Sequence, residues 1–214
     1  MSMSTRFSIY LGVLLITWLF GFIKFKKLSS PYKLLTVFIL ITFISESATR
    51  IFIKEYRNSC PPYHVYQPLQ YFFITTFYLC HLKKSTSLIS WSWVVFTLYF
   101  IVNSAFFQDV WTVPTNAMLI VNIVYVLCSL QLFKTMLLHA SEQPLFRQGL
   151  FWYNTSTLIL FTFNFFCWSF YNVLLKLENN LAALTDITYF LSMQYYIVTG
   201  IAIYLNARRK PHEQ

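Results

Sequence analysis

The chain has 214 residues, of which 57% are hydrophobic and 11% charged, and its formal net charge is +9. A soluble domain of this size carries about 25% charged residues and has too little core to hide so much apolar surface. Its Lys and Arg residues stand in short clusters at the ends of apolar runs, which does not indicate a nucleic-acid-binding surface. A lipid bilayer is the solvent that fits this composition. We therefore expect a single all-α domain over residues 1–214, a polytopic membrane helix bundle.

Seven apolar runs are long enough for transmembrane helices, which need about 20 residues each. The predicted helices cover residues 7–23, 34–53, 65–82, 88–107, 113–133, 149–171 and 184–205. The first run has no preceding Lys and no small-residue cleavage site after it, so we expect a retained helix rather than a signal peptide.

The distribution of Lys and Arg predicts the orientation, because cytosolic loops carry an excess of both. With seven crossings, the basic side carries Lys24, Lys26, Lys27, Lys33, Lys83, Lys84, Lys134, Arg147, Arg208, Arg209 and Lys210, and the other side carries Arg6, Lys54, Arg57 and Lys176. This asymmetry predicts an outside N-terminus and a cytosolic C-terminus in the cell inner (plasma) membrane.

Glu46 and Arg50 are two charged residues within the second predicted helix, and their spacing of four places them on one helix face. Glu46 falls roughly 18 Å into the membrane at about 1.5 Å per residue. An ionised group at that depth needs a partner or water. The pair indicates either a structural ion pair, with Arg50 reaching towards the outer interface, or a polar pocket open to the outside.

His64, Gln67 and Gln70 are spaced three apart and share one side of the first turns of the third helix. They indicate either a polar cap at the interface or side chains that face Glu46 and Arg50. In the second case His64 would respond to pH, because its charge changes near neutrality.

Amide side chains recur in the later helices, where hydrogen bonding between helices is their usual role. Asn103, Asn116 and Asn122 fall in the outer half of the predicted bundle, with Asn164 and Gln194 near its middle. This bias of polarity towards the outer half suggests a cavity that opens outward. The candidate ligand-binding residues are Glu46, Arg50, His64, Gln67, Gln70, Asn103 and Asn116.

Motifs for catalysis, metal binding and cofactor binding are absent from the sequence. It contains no CxxC, HExxH or GxSxG, and its four Gly residues form no phosphate-binding loop. We therefore predict that the chain is not an enzyme and has neither a metal site nor a cofactor.

Two stretches resemble a group of small, uncharacterised seven-helix membrane proteins of Bacteroidetes-type bacteria. The first comprises Glu46, Asn58 and the sequence YHVYQPLQYFF at residues 63–73, and the second comprises residues 130–133, 144–146 and 151–152. That group is similar to the membrane sensor modules of histidine kinases, without the kinase. The resemblance implies seven helices and a role in signalling, and it transfers no functional residue. Gln70 stands where the group's pattern has an acidic residue, which argues against a carboxylate pair.

Three functions remain open from the sequence. The first is a sensor or regulatory module that binds a small ligand, lipid or partner membrane protein in the outward pocket. The second is an oligomeric channel or pore-forming component, such as a bacterial defence effector, in which homo-oligomers line a shared axis. The third is a small transporter, although pairing with Arg50 would hold Glu46 ionised and make it a poor proton carrier.

Overall fold

The structure, a computed structural model, describes residues 3–83, 86–138, 144–176 and 182–208. These residues form seven α-helices and no β-strand, which confirms the all-helical prediction. The helices are α1 (Met3–Lys24), α2 (Ser30–Tyr56), α3 (Cys60–His81), α4 (Thr86–Val102), α5 (Thr115–Leu138), α6 (Gly149–Lys176) and α7 (Ala182–Arg208). Short 3₁₀ turns cover Phe25–Lys27 and Leu145–Arg147, and a π-helical turn, Asn103–Phe107, extends α4.

Four helical segments in the described part of the chain are long and apolar enough to cross a membrane: Thr5–Lys27, Ser30–Tyr56, Ser90–Phe107 and Thr115–Leu138. Large apolar side chains cover the outer surface of the bundle; Ile23, Phe106 and Leu137, for example, are 74%, 80% and 68% exposed. An apolar surface of this extent is typical of contact with lipid. The chain is therefore a helical protein of membrane type, and the full set of seven crossings stays a prediction.

Six of the helices form a closed ring. Around it, α1 packs on α2, α2 on α3, α3 on α5, α5 on α6, α6 on α7, and α7 on α1. Helix α4 lies outside this ring and packs against α3. Its outward residues Trp91, Val95 and Leu98 are exposed. The ring has a central axis to which every helix except α4 contributes side chains.

The two ends of the ring differ in charge. One end, which we call the mixed-charge end, contains the start of α1, the α2–α3 and α4–α5 connections and the start of α7. An ion pair between Arg6 and Asp186 and a hydrogen bond from Asn58 Nδ2 to the Trp111 carbonyl (2.9 Å) connect these segments. The opposite, basic end carries Lys24, Lys26, Lys27, Lys33, Lys83, Lys134, Arg147 and Arg208. Lys84, Arg209 and Lys210, which the sequence places on the same side, lie outside the described residues.

The tight connection between α2 and α3 positions the residues that matter below. Arg57 ends α2 in the left-handed conformation (φ 55°), and its N–H reaches the Ile53 carbonyl at 3.0 Å. The Asn58 side chain then accepts the N–H of Cys60 at 2.7 Å, and prolines follow at the start of α3. Both features favour helix initiation, because they satisfy or remove backbone donors that lack a partner in the first turn. As a result, the last turns of α2 lie directly beside the first turns of α3.

Candidate functional site

A cavity of about 380 Å³ lies on the ring axis in the half of the bundle nearer the mixed-charge end. All six ring helices contribute to its wall: α1 through Phe7 and Tyr10, α2 through Glu46, and α3 through Gln67 and Gln70. Helices α5, α6 and α7 close it with Met118, Asn122, Leu160, Phe161, Asn164, Trp168, Tyr189 and Tyr196, among others. Its volume falls in the range of about 300–1,000 Å³ that is usual for small-molecule sites.

Glu46 is the carboxyl group of this cavity. It is buried, with 8% of its surface exposed, and Oε1 accepts a hydrogen bond from the Tyr10 hydroxyl at 3.4 Å. The Tyr63 hydroxyl, on the adjoining turn of α3, lies close enough to interact with the same carboxyl group. Glu46 Oε2 nevertheless has no hydrogen-bond partner of ordinary geometry within the described residues. The carboxyl group of Glu46 is therefore incompletely hydrogen-bonded inside the bundle.

The ion pair between Glu46 and Arg50, one of the two alternatives from the sequence, is not formed. Arg50 is exposed, and its guanidinium carbon lies 5.2 Å from the centroid of the Phe7 ring. The ion pair that the described residues contain joins Arg6 to Asp186 instead. Arg50 does not line the cavity. One turn of helix separates the two residues along α2, which places Glu46 in the cavity wall and Arg50 over the Phe7 ring nearer the mixed-charge end.

Four buried polar atoms in the cavity wall have no hydrogen-bond partner within the described part of the chain. They are Glu46 Oε2, Gln67 Oε1, Asn122 Nδ2 and Asn164 Oδ1. Each comes from a different helix, namely α2, α3, α5 and α6. Buried polar atoms are almost always hydrogen-bonded, and leaving one unpaired costs about 1–3 kcal/mol. All four belong to residues that line the cavity, although the atoms themselves are covered by neighbouring protein atoms.

His64, Asn103 and Asn116, three of the predicted site residues, lie outside this cavity. Their polar groups form a network that holds the π-helical turn and the α4–α5 connection against α3. His64 Nε2 donates to the Thr112 carbonyl at 2.9 Å, which leaves Nδ1 to accept from Ser104 Oγ at 3.0 Å in the neutral ring.

Asn103 and Asn116 belong to the same connection. Asn103 Nδ2 donates to Gln108 Oε1 at 3.0 Å, and Asn116 Nδ2 donates to Asn103 Oδ1 at 3.3 Å. Gln108 Nε2 in turn donates to Thr115 Oγ1 at 2.8 Å. These side chains satisfy one another, so their observed role is to shape the connection above the cavity.

The ring axis is filled towards the basic end. Asn154 is fully buried there; its Oδ1 accepts from Ser129 Oγ at 2.8 Å and from the Tyr78 hydroxyl at 3.0 Å. Its Nδ2 donates to the Ser129 carbonyl at 3.1 Å. Beside it, the Tyr195 hydroxyl donates to that of Tyr153 at 3.1 Å. The cavity thus has a closed floor of large, hydrogen-bonded side chains.

The aromatic residues of the cavity wall were not among the predicted site residues. Tyr10 packs against Tyr189 with ring centroids 5.8 Å apart and against Tyr196 at 6.0 Å, which forms a wall from α1 and α7. The sequence contains 15 Tyr and 23 Phe, and no pattern distinguishes those that face the axis from those that face lipid. The sequence places Asn122 and Asn164 within predicted helices, but only the packing of the helices around the ring shows that both line one cavity.

The described residues contain no group of three or more His, Cys, Asp or Glu side chains placed to hold a metal ion. No family model, curated protein or solved structure matches the chain. The chemistry of the cavity is therefore the basis for a functional proposal.

Proposed function

We propose that the chain is a multi-pass regulatory module of the inner membrane that binds a small molecule in the axial cavity and relays its presence through the ring helices. The observation that carries this proposal is the axial cavity itself, whose wall combines the carboxyl group of Glu46 with the amide side chains of Gln67, Asn122 and Asn164. A few polar groups in a largely apolar wall are what orients a small ligand and makes its binding specific.

The same four residues support a role in signalling. They belong to α2, α3, α5 and α6, so one bound molecule would contact four of the six ring helices. A ligand shifts a conformational equilibrium only when it contacts the two states differently. A molecule held between four helices meets that condition, because any change in helix spacing alters its contacts. Helix α4, outside the ring, offers an exposed apolar face to a partner membrane protein or a second copy of the chain.

The charge distribution supports an outward-facing site. The basic end carries the concentration of Lys and Arg that is typical of cytosolic loops. With that end in the cytosol, the cavity opens towards the outer face of the membrane. We infer from this orientation that the module senses a molecule from outside the cytosol.

A small transporter is the second candidate, and one observation favours it. Glu46 lies near the axis and forms no ion pair with Arg50, so the sequence-based objection to a proton-carrying carboxylate does not apply. Carboxylates within membrane helices frequently mark the paths of protons and substrates. A transporter would additionally require the filled floor around Asn154 to open.

The proposal is tested by identifying what the protein carries from its own membrane. We expect native mass spectrometry of the purified protein to detect a bound small molecule, and an Asn122→Leu, Asn164→Leu double variant to lose it. Asn116→Leu is the matched control, since Asn116 is exposed and outside the cavity.

Equal bound mass in all three proteins would contradict the proposal. Uptake of the identified molecule into proteoliposomes would favour the transporter. Binding without uptake would favour the regulatory module.

A further inference from the structure

We propose that the axial cavity selects a small organic cation, such as a primary or quaternary amine. This inference rests on the proposed function, in that it assumes that the cavity binds a small molecule, and it adds the chemical class of that molecule. Two features of the wall support it: its charge and its aromatic rings.

The charge of the wall favours a cation. Among the described residues that line the cavity, Glu46 supplies the one carboxyl group, and none is Lys, Arg or His. Arg50 is exposed and lies over the Phe7 ring, and the two described residues Glu46 and Arg50 form no ion pair with each other. A carboxylate in a cleft with apolar walls concentrates counter-ions, because the field is weakly screened there. An anionic ligand would instead face this carboxylate with no basic side chain in the wall to balance it.

Aromatic rings surround the carboxyl group. Tyr10 and Tyr63 contact or approach Glu46 directly, and Tyr189 and Tyr196 pack on Tyr10. Faces of aromatic rings attract cations, and cages of such rings recognise quaternary ammonium groups. The structure already contains one such contact at the edge of this site, where the Arg50 guanidinium lies over the Phe7 ring that lines the cavity.

The native Cys167 provides a probe, because its side chain lines the cavity. In a Cys60→Ser, Cys80→Ser, Cys128→Ser variant in nanodiscs, Cys167 is the one remaining Cys of the sequence. We would measure its rate of modification by three methanethiosulfonates, carrying trimethylammonium, sulfonate or methyl groups, using intact mass. The rate of each reagent with free mercaptoethanol is measured as well, and dividing by this rate corrects for differences in intrinsic reactivity. We expect the corrected ratio of cationic to anionic rates to exceed one by about tenfold or more.

Glu46→Gln and Glu55→Gln form a matched pair of variants on α2. Glu46 is buried in the cavity wall, whereas Glu55 is exposed near the helix end. We expect Glu46→Gln to bring the corrected ratio close to one and Glu55→Gln to leave it unchanged. In the parent triple variant, choline should protect Cys167 from the methyl reagent, and dimethylbutanol, the neutral carbon isostere of choline, should not. This protection assay needs no substitution of Glu46.

The outcomes separate the two proposals. If none of the reagents modifies Cys167, the cavity is not reachable and the proposed function itself is wrong. If all three reagents modify Cys167 with a corrected ratio of cationic to anionic rates near one, the cavity is reachable and the proposed function is retained. The inference that the ligand is a cation is then wrong. Equal protection by choline and dimethylbutanol would also overturn the cation class.

Discussion

Asn154 and Asn164 lie on the same helix and in the same ring, yet their side chains have opposite surroundings. Asn154, towards the basic end, makes three side-chain hydrogen bonds to Ser129 and Tyr78. Asn164, towards the mixed-charge end, leaves Oδ1 buried without a partner in the described part of the chain. The first arrangement joins α3, α5 and α6, and the second lines a cavity.

The two halves of one helix ring therefore differ in role: the half around Asn154 stabilises the packing of the helices, and the half around Asn164 surrounds the cavity. A satisfied polar network in a low-dielectric interior fixes the packing of its helices, whereas an unsatisfied group costs free energy. Proteins accept that cost mainly at sites where function requires it. We therefore expect substitutions of Asn154 and Asn164 to change the free energy of unfolding in opposite directions.

The largest loss of stability is expected at Gly149, in the filled half. A Cβ on this residue would lie 2.4 Å from the Ala202 carbonyl oxygen of α7, so Gly149→Ala must push α6 and α7 apart. Overpacking of this kind costs about 3 kcal/mol. Gly12→Ala is the control, since a Cβ there meets no atom within 4 Å. Unfolding curves of both variants in mixed micelles would measure the difference, and equal curves would show that the contact is less close than described.

The next largest effect distinguishes the two asparagines directly. Asn154→Leu leaves Tyr78 and Ser129 without their partner and should lower the free energy of unfolding by about 2 kcal/mol. Asn164→Leu removes an unpaired oxygen and should raise it by about 1 kcal/mol. The same unfolding assay compares them. A loss of stability in both would mean that Asn164 is a packing residue, which would weaken the case for a binding site.

A smaller effect is expected at His64, where the polar network is satisfied but lies outside the cavity. His64→Ala removes the hydrogen bonds to Ser104 and to the Thr112 carbonyl and should cost about 1 kcal/mol. The ratio of cationic to anionic modification rates at Cys167 should stay unchanged, because His64 does not line the cavity. A changed ratio at unchanged stability would restore His64 to the ligand-binding site that the sequence predicts.

The smallest effect is expected for the ion pair at the mixed-charge end. Arg6 and Asp186 have side chains that are 34% and 47% exposed, so solvent and salt screen their attraction. Arg6→Ala should change the free energy of unfolding by about 0.5 kcal/mol or less. A loss of several kcal/mol that disappears at high salt would indicate instead that this pair holds α1 against α7 around the cavity.

Part of the candidate site could be predicted from the sequence. Glu46 stands out because a carboxyl group deep in an apolar helix is costly, and Gln67 and Gln70 share one side of α3 with a spacing of three. All three line the cavity. The other candidates, Arg50, His64, Asn103 and Asn116, are also polar residues in apolar surroundings of the sequence. None of them lines the cavity.

The apolar composition and the clustering of basic residues at helix ends were sufficient to predict a helical protein of membrane type, because these properties depend on the solvent and on single helices. The wall of the cavity was decided only by the tertiary structure. Which face of each helix meets the axis depends on how the helices pack around the closed ring. A rotation of one helix by a single residue, about 100° at 3.6 residues per turn, would replace its axial side chains with others. That packing placed Tyr10, Tyr189, Asn122 and Asn164 around Glu46, and it left α4 outside the ring.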